Sequence, residues 1–225
     1  MLKSQRVWAW KAAVAVCLAG MTVSCTEDVE SKGPESARPP GVDCGLETAA
    51  HGEGLLSVQD VWPGAGKKNR STRIVDLAGT TCATGQGTAT TPTNSCETSG
   101  FPWTRSPDSS NQDLYRSGIR RWASASLEGS DGGILKENVL IPSDGESDGV
   151  LDAYRKHLKG CDATVLSSQN GRPVQFFLKG SPALVVSFQG ERITALQGYG
   201  SGWKGDQLAN LLGVAENRSG TLAAG

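Results

Sequence analysis

The chain of 225 residues is long enough for one domain of ordinary size together with export and linker segments. Its formal net charge is −1 and its pI is near 6.1, so no excess of basic residues is available to neutralise phosphates, and nucleic acid is not an expected partner. Its 29 glycines and an aromatic content of 6% indicate a modest core with many turns. We therefore expect the fold to depend on cross-links.

The amino terminus has the layout of a secretory signal peptide. Lys3, Arg6 and Lys11 form a positive region, and residues 12–23 then run apolar without a charge over a length too short to span a bilayer comfortably. The next segment, Thr22-Val23-Ser24-Cys25, resembles a bacterial lipobox. Residues 1–24 are thus the predicted lipoprotein signal peptide of a protein exported by a bacterium.

Cys25 is the predicted lipidation site and the first residue of the mature chain. Its thiol would carry acyl chains, including palmitate, that insert in membrane lipid and hold the protein on the extracytoplasmic face of the cell membrane. Thr22 stands where the lipobox pattern prefers leucine, so ordinary cleavage without a lipid remains an alternative. Residues 26–41 are rich in Glu, Ser, Pro, Gly and Lys, which predicts a flexible tether over 25–53.

Four of the six cysteines belong to the mature domain: Cys44, Cys82, Cys96 and Cys161. An even number of cysteines in an exported chain predicts a disulfide framework. A zinc site generally needs closely spaced ligand pairs, whereas this chain has no CxxC pair and only two histidines. The sequence therefore predicts neither a metal nor another cofactor.

The domain is predicted to begin near residue 54 with a short helix, because Leu55, Val58 and Trp62 recur at helical spacing. Residues 79–112 are dominated by Thr, Ser, Gly, Pro and Asn, which predicts a long irregular loop pinned by its cysteines. Two alternating segments, 119–127 and 135–141, are joined by a turn-forming Ser130–Gly133 stretch and predict a β-hairpin.

A helix over residues 150–158 is the clearest prediction, because Val150, Leu151, Tyr154 and Leu158 form one apolar stripe that Gly160 ends. Four β-prone segments follow, and their spacing indicates a meandering antiparallel sheet. The segments are 163–167, 174–178, 184–188 and 192–196. Residues 203–215 predict a last helix.

These elements predict an α+β domain over residues 54–218. Its sheet is expected to be mostly antiparallel, with the helices packed on one face and disulfides stabilising the fold. Residues 219–225 are expected to form a disordered tail.

The order of these features resembles the actinobacterial sensor-type lipoproteins related to the extracytoplasmic domain of PknH-like kinases. The residues that carry the resemblance are Leu55, Leu56, Asp60, Gly64, Leu158, Cys161, Leu208 and Ala209. The resemblance covers about two thirds of the chain in pattern. It implies an α+β domain with a central cleft that binds an envelope ligand. It also implies a disulfide between Cys96 and Cys161, and a second between Cys44 and Cys82.

No group of residues in the sequence has the pattern of a catalytic site, so the domain is predicted not to be an enzyme. Aromatic side chains that combine apolar area with a polar tip often line binding clefts. The candidate ligand-binding residues are Trp103, Trp122, Tyr199 and Trp203. The first functional hypothesis is a lipid-anchored sensor or ligand-binding protein for a small envelope molecule. A structural lipoprotein that binds an envelope protein is the alternative, and a secreted enzyme of unknown type is third.

Overall fold

Eight antiparallel strands form one sheet in the computed structural model, which describes residues 45–48, 52–64, 69–77, 96, 110–130, 132–200 and 202–223. The described residues belong to the compact unit Arg38–Gly225. The order of strands across the sheet is β1-β2-β3-β4-β8-β7-β6-β5. The strands are β1 (Leu46–Thr48), β2 (Arg70–Asp76), β3 (Ile119–Glu128), β4 (Ile134–Pro142), β5 (Thr164–Gln169), β6 (Arg172–Leu178), β7 (Ala183–Gln189) and β8 (Arg192–Tyr199).

Tight turns connect the strands of the hairpins β3–β4 and β5–β6. The predicted hairpin is confirmed as β3 and β4, where the N–H of Gly129 donates to the carbonyl of Gly133 at 2.7 Å. Between β5 and β6, Asn170 and Gly171 have φ angles of 50° and 75°, the left-handed pair that a two-residue hairpin turn requires. The predicted meander of the second half is confirmed as the paired strands β5 to β8.

Four α-helices accompany the sheet in the described part of the chain: α1 (Val58–Val61), α2 (Ser110–Arg116), α3 (Ser147–Gly160) and α4 (Gly205–Ser219). The apolar stripe predicted for α3 is confirmed, since Val150, Leu151, Tyr154 and Leu158 are all buried. The buried residues of α4 include Leu208, Leu211, Leu212 and Ala215. The α+β class is therefore as the periodicity predicted.

The helices lie on both faces of the sheet, which corrects the prediction of one covered face. Helix α3 packs in a core cluster with Val186 and Ala195, whereas α4 packs in a separate cluster with Val185 and Leu196. Successive side chains of a strand point to opposite faces, so these clusters lie on opposite sides of β7 and β8. We call the two sides the α3 face and the α4 face.

Four elements lie where no helix or strand was predicted, and strand β2 is one of them. Strand β1 lies inside the expected tether and pairs with β2, which was not predicted. Helix α2 begins at Ser110, inside the expected irregular loop, and buries Leu114 completely. The expected disordered tail instead begins with a 3₁₀ turn at Gly220–Ala223, where Leu222 is 8% exposed and packs against the α4 face. A short segment at the carboxyl end of the domain, with Leu222, thus adds to its core.

One disulfide joins Cys96 to Cys161, with 5.6 Å between their Cα atoms. This is the pair that the family resemblance implied. Cys161 follows the last residue of α3, so the bond ties the end of that helix to the segment between β2 and α2. The other expected pair, Cys44 and Cys82, lies outside the described residues.

Candidate functional site

A cleft of about 480 Å³ lies on the α3 face, over strands β2, β3 and β4. A volume of this size is within the range of small-molecule sites. We call it the sheet cleft and define it by Glu47, Ser71, Arg73, Trp122, Ser124, Ser126, Lys136 and Asn138. Among the described residues, no helix covers the serines and Lys136, whereas the neighbouring apolar half of the same face is packed against α2 and α3.

Alternation along β3 and β4 creates the polar lining of the cleft. Ser124 and Ser126 point into it, while Ala123, Ala125 and Leu127 between and beside them are buried on the α4 face. In β4, Lys136 pairs with Ser126 and Asn138 pairs with Ser124, which places all four side chains on the same side. The same strands therefore supply both a core and an open polar surface.

Two cations of the cleft lie over aromatic rings. The guanidinium carbon of Arg73 is 5.3 Å from the centre of the Trp122 ring, and the Nζ atom of Lys136 is 4.9 Å from the centre of the Tyr199 ring. Arg73 also forms an ion pair at 3.2 Å with Glu47, in which both side chains are substantially exposed. The lining of the cleft thus has one excess positive charge, because Lys136 has no acidic residue of the lining to balance it.

Internal hydrogen bonds fix the orientation of two further groups. The indole N–H of Trp122, a residue only 6% exposed, donates to Oδ1 of Asn111 on α2 at 2.8 Å. The side-chain amide of Asn138 donates to Oε1 of Gln197 at 3.3 Å, and both residues are buried. Because these side chains have fixed partners, they shape the wall of the cleft before any ligand arrives.

The aromatic residues predicted to bind a ligand do not form one group. Trp122 and Tyr199 lie on the α3 face, at opposite ends of the open region. Trp203 lies on the α4 face, where its N–H donates to the carbonyl of Tyr199 at 3.1 Å and a Cβ at Gly198 would collide with its ring. Trp203 is therefore a partly buried residue that packs against the core of the α4 face. Trp103 lies outside the described residues.

Glu137 is a functional candidate that the sequence reasoning missed. Its side chain is fully buried on the α4 face, where Oε2 accepts a hydrogen bond from the N–H of Leu56 at 2.6 Å. Oε1 is buried without a hydrogen-bond partner. Burial raises the pKa of this carboxyl to about 7, although the Leu56 hydrogen bond and the cations Arg70 and Arg218 act to lower it.

A sequence signal for this group exists in β4. The residues on its α4 face are Leu135, Glu137, Val139 and Ile141, so a carboxylate interrupts an otherwise apolar series. The glutamate meets the segment that follows the expected tether, because Leu56 lies two residues before α1. An ionisable group therefore lies at the junction between the sheet and this segment.

A second polar contact holds α1 to α4. Burial alone would raise the pKa of Asp60, but hydrogen bonds from Ser57 and the nearby Arg218 guanidinium hold it below its ordinary value. The Nη2 atom of Arg218 lies 2.9 Å from Oδ1 of Asp60. Because α1 is a single turn, this contact fixes its position against the longer helix.

The described residues contain no group of three or more His, Cys, Asp or Glu side chains that would hold a metal ion. Within the same part of the chain, no helix is both long enough and apolar enough to cross a membrane. The predicted lipidation site, Cys25, lies outside the described residues, as does the whole predicted signal peptide.

Comparisons with known proteins give no relative for this chain. No protein-family model matches the sequence. No curated protein matches it, and no solved structure matches the fold. The functional argument therefore depends on the chemistry of the described residues.

Proposed function

We propose that this protein is a non-enzymatic ligand-binding lipoprotein, anchored through Cys25 on the extracytoplasmic face of a bacterial membrane. The observation that supports ligand binding is the sheet cleft, where polar side chains line about 480 Å³ on a rigid sheet. The export layout of the amino terminus supports the location. The resemblance to the sensor-type lipoproteins related to the extracytoplasmic domain of PknH-like kinases supports the same role.

The lining of the cleft suits a small molecule that carries hydroxyl groups and one carboxylate. Ser71, Ser124 and Ser126 offer hydroxyls that both donate and accept hydrogen bonds. Lys136 supplies the positive charge that a carboxylate needs, and Arg73 adds planar donors at the rim. A sugar acid of the uronate type has this combination of groups. We therefore propose uronate-type sugars as the ligand class.

The same lining supports the proposal of a non-enzymatic role. A serine nucleophile needs a neighbouring base, and among the described residues that line the cleft there is no histidine. The carboxylate at the rim, Glu47, is paired with Arg73. The hydroxyls and cations of the cleft therefore support a role in recognition.

An NMR titration with sodium glucuronate tests the cleft, with glucose and acetate as probes for each half of the ligand. We expect saturable shifts of backbone amides in β2, β3 and β4 at ligand concentrations of about 1–10 mM, a range suited to weak sites. Ser126→Trp should abolish them by filling the cleft, whereas Ser168→Trp on the exposed side of β5 should not. If glucuronate causes no saturable shift, the proposed ligand class is wrong.

The anchor is tested by intact mass of the protein from its native membrane fraction, before and after reduction and alkylation. We expect a chain that begins at Cys25, carries a diacylglyceryl group and labels its remaining cysteines only after reduction. An unlipidated chain in the medium would contradict the anchored location. It would favour the alternative in which the signal peptide is cleaved without lipid attachment, because Thr22 departs from the lipobox pattern.

The second candidate function is binding of an envelope protein. It is favoured by the edge strand β5, where Val165 and Leu166 are 42% and 41% exposed. Large apolar side chains exposed side by side often mark contact sites. Leu166→Asp would abolish a contact with a partner but leave glucuronate binding unchanged. Cross-linking in intact cells, with this variant beside the wild type, separates the two functions.

A further inference from the structure

A second pocket, of about 330 Å³, lies between α3 and the β5–β6 turn, away from the sheet cleft. Three of its cations come from α3, where Arg155, Lys156 and Lys159 follow the spacing that brings residues to one side of a helix. The tight turn at Gly171 brings Arg172 against them. One carboxylate, that of Asp152, also lines this basic pocket, so its lining has an excess of three positive charges.

Arg155 differs from an ordinary surface arginine. Its side chain is only 13% exposed, and its guanidinium carbon lies 4.7 Å from the centre of the Phe188 ring. One terminal nitrogen donates to Asp152 at 2.8 Å. The Nε atom is buried and has no hydrogen-bond partner. Stacking on Phe188 and the hydrogen bond to Asp152 hold this guanidinium in place at the wall of the pocket.

Helix-end electrostatics alone do not account for the arrangement. Cations in the last turn of a helix interact favourably with its dipole, and Lys159 fits that role. Arg155 lies further back along α3, and Arg172 comes from a different element. Neither the stacking of Arg155 nor the convergence of Arg172 is needed to stabilise a helix end.

We propose that this basic pocket binds a phosphate group. A tetrahedral oxyanion has acceptors in several directions, which matches a mostly buried guanidinium with three further cationic side chains around the same pocket. The phosphate comes either from a free anion in the envelope or from the headgroup of an anionic lipid. Both sources present the same group to Arg155, Lys159 and Arg172.

The test uses the full chain carrying Cys25→Ser, so that no acyl group contributes to membrane binding. One arm titrates inorganic phosphate against backbone amides by NMR. The other measures co-sedimentation with phosphatidylcholine vesicles, with and without phosphatidylglycerol. Saturable phosphate binding assigns a free-anion site, whereas binding only to the anionic vesicles assigns a lipid headgroup.

The variant Lys159→Gln/Arg172→Gln should weaken binding in the responsive arm about tenfold, because it removes two charge-assisted contacts. The control Lys179→Gln neutralises an exposed lysine outside the pocket and should leave binding unchanged. Circular dichroism confirms that both variants are folded. Wild-type protein that binds neither probe would overturn the proposal, as would an equal loss in Lys179→Gln. If the wild type binds neither probe and the double variant melts at a lower temperature than the wild type, the cations serve helix stability alone.

Discussion

The two sides of strands β3 and β4 have opposite roles although they share the same backbone. On the α4 face, Ala125 and Leu127 are buried in the core. On the α3 face, Ser124 and Ser126 line the sheet cleft. In this part of the β3–β4 hairpin, parity along the strand separates positions that serve folding from positions that line the cleft. The comparison shows that substitutions one residue apart should affect different properties.

The largest expected difference in the free energy of unfolding is between an alanine substitution at Leu127 and one at its neighbour Ser126. Leu127→Ala creates a cavity at a fully buried position and should cost about 2–5 kcal/mol in the free energy of unfolding. Ser126→Ala should change it by no more than about 0.5 kcal/mol. Urea denaturation of the two variants measures both. Equal losses would show that the cleft lining is structural.

Loss of the disulfide should have the next largest effect. Cys96 and Cys161 are 65 residues apart, so the bond restricts a long loop in the unfolded chain. Replacing both residues by serine should cost about 2–4 kcal/mol in the free energy of unfolding. Reduction of the wild-type protein should give a similar loss. An unchanged denaturation midpoint after reduction would contradict a stabilising role for this bond.

Glu137 makes the α4 face sensitive to pH. Since the pKa of its carboxyl is raised from 4.5 to about 7, the folded protein binds the proton more tightly than the unfolded chain. This contribution to stability is full below pH 4.5 and is lost as the pH rises through about 7. Glu137→Gln should remove that dependence and be more stable than the wild type at pH 8, by about 2–3 kcal/mol.

Denaturation midpoints from pH 4 to 8 measure this effect. Glu128→Gln is the matched control, because Glu128 is an exposed glutamate on the adjacent strand β3. It should retain the wild-type pH dependence. If the Glu137→Gln variant loses stability between pH 4 and 8 in parallel with the wild type, the pH dependence belongs to another group.

The smallest effect on stability is expected at Arg73 in the sheet cleft. Its ion pair with Glu47 is largely exposed, so Arg73→Gln should cost less than about 1 kcal/mol. The same change should weaken glucuronate binding about tenfold if the guanidinium contacts the carboxylate. Parallel denaturation and NMR titrations measure the two quantities. A large loss of stability with unchanged affinity would reverse the roles assigned to the two faces.

Periodicity predicted the elements whose burial is regular. The stripe from Val150 to Leu158 identified α3, and alternation identified the β3–β4 hairpin. Strand β2 was missed because its first residues, Arg70–Arg73, are polar or charged and have no apolar alternation. Alternation gives the exposed residues of a strand, but not which of them meet across neighbouring strands. The sheet cleft could be identified only from the register in which β2, β3 and β4 pair.

The error about helix placement has a physical explanation in β7. Its residues Ala183–Phe188 are all buried, and a continuous buried strand is typical of a sheet covered on both faces. The apolar stripe of each helix shows that the helix packs on the sheet, but not on which face, whereas the nearly continuous apolar segment Ala183–Phe188 indicates that both faces are covered. Trp203 was misassigned for a related reason. A glycine at position 198 lets its ring lie directly against the backbone, which spacing alone does not reveal.

The two edges of the sheet limit self-association. At one edge, β1 is only three residues long. At the other, the pairing of β5 with β6 is interrupted between Val165 and Ser167 and again between Ser167 and Ser168. Irregular or short edges are poor templates for another strand, so copies of the domain crowded together resist stacking into continuous sheets. We therefore expect the domain to tolerate high local concentration without polymerising through its sheet edges.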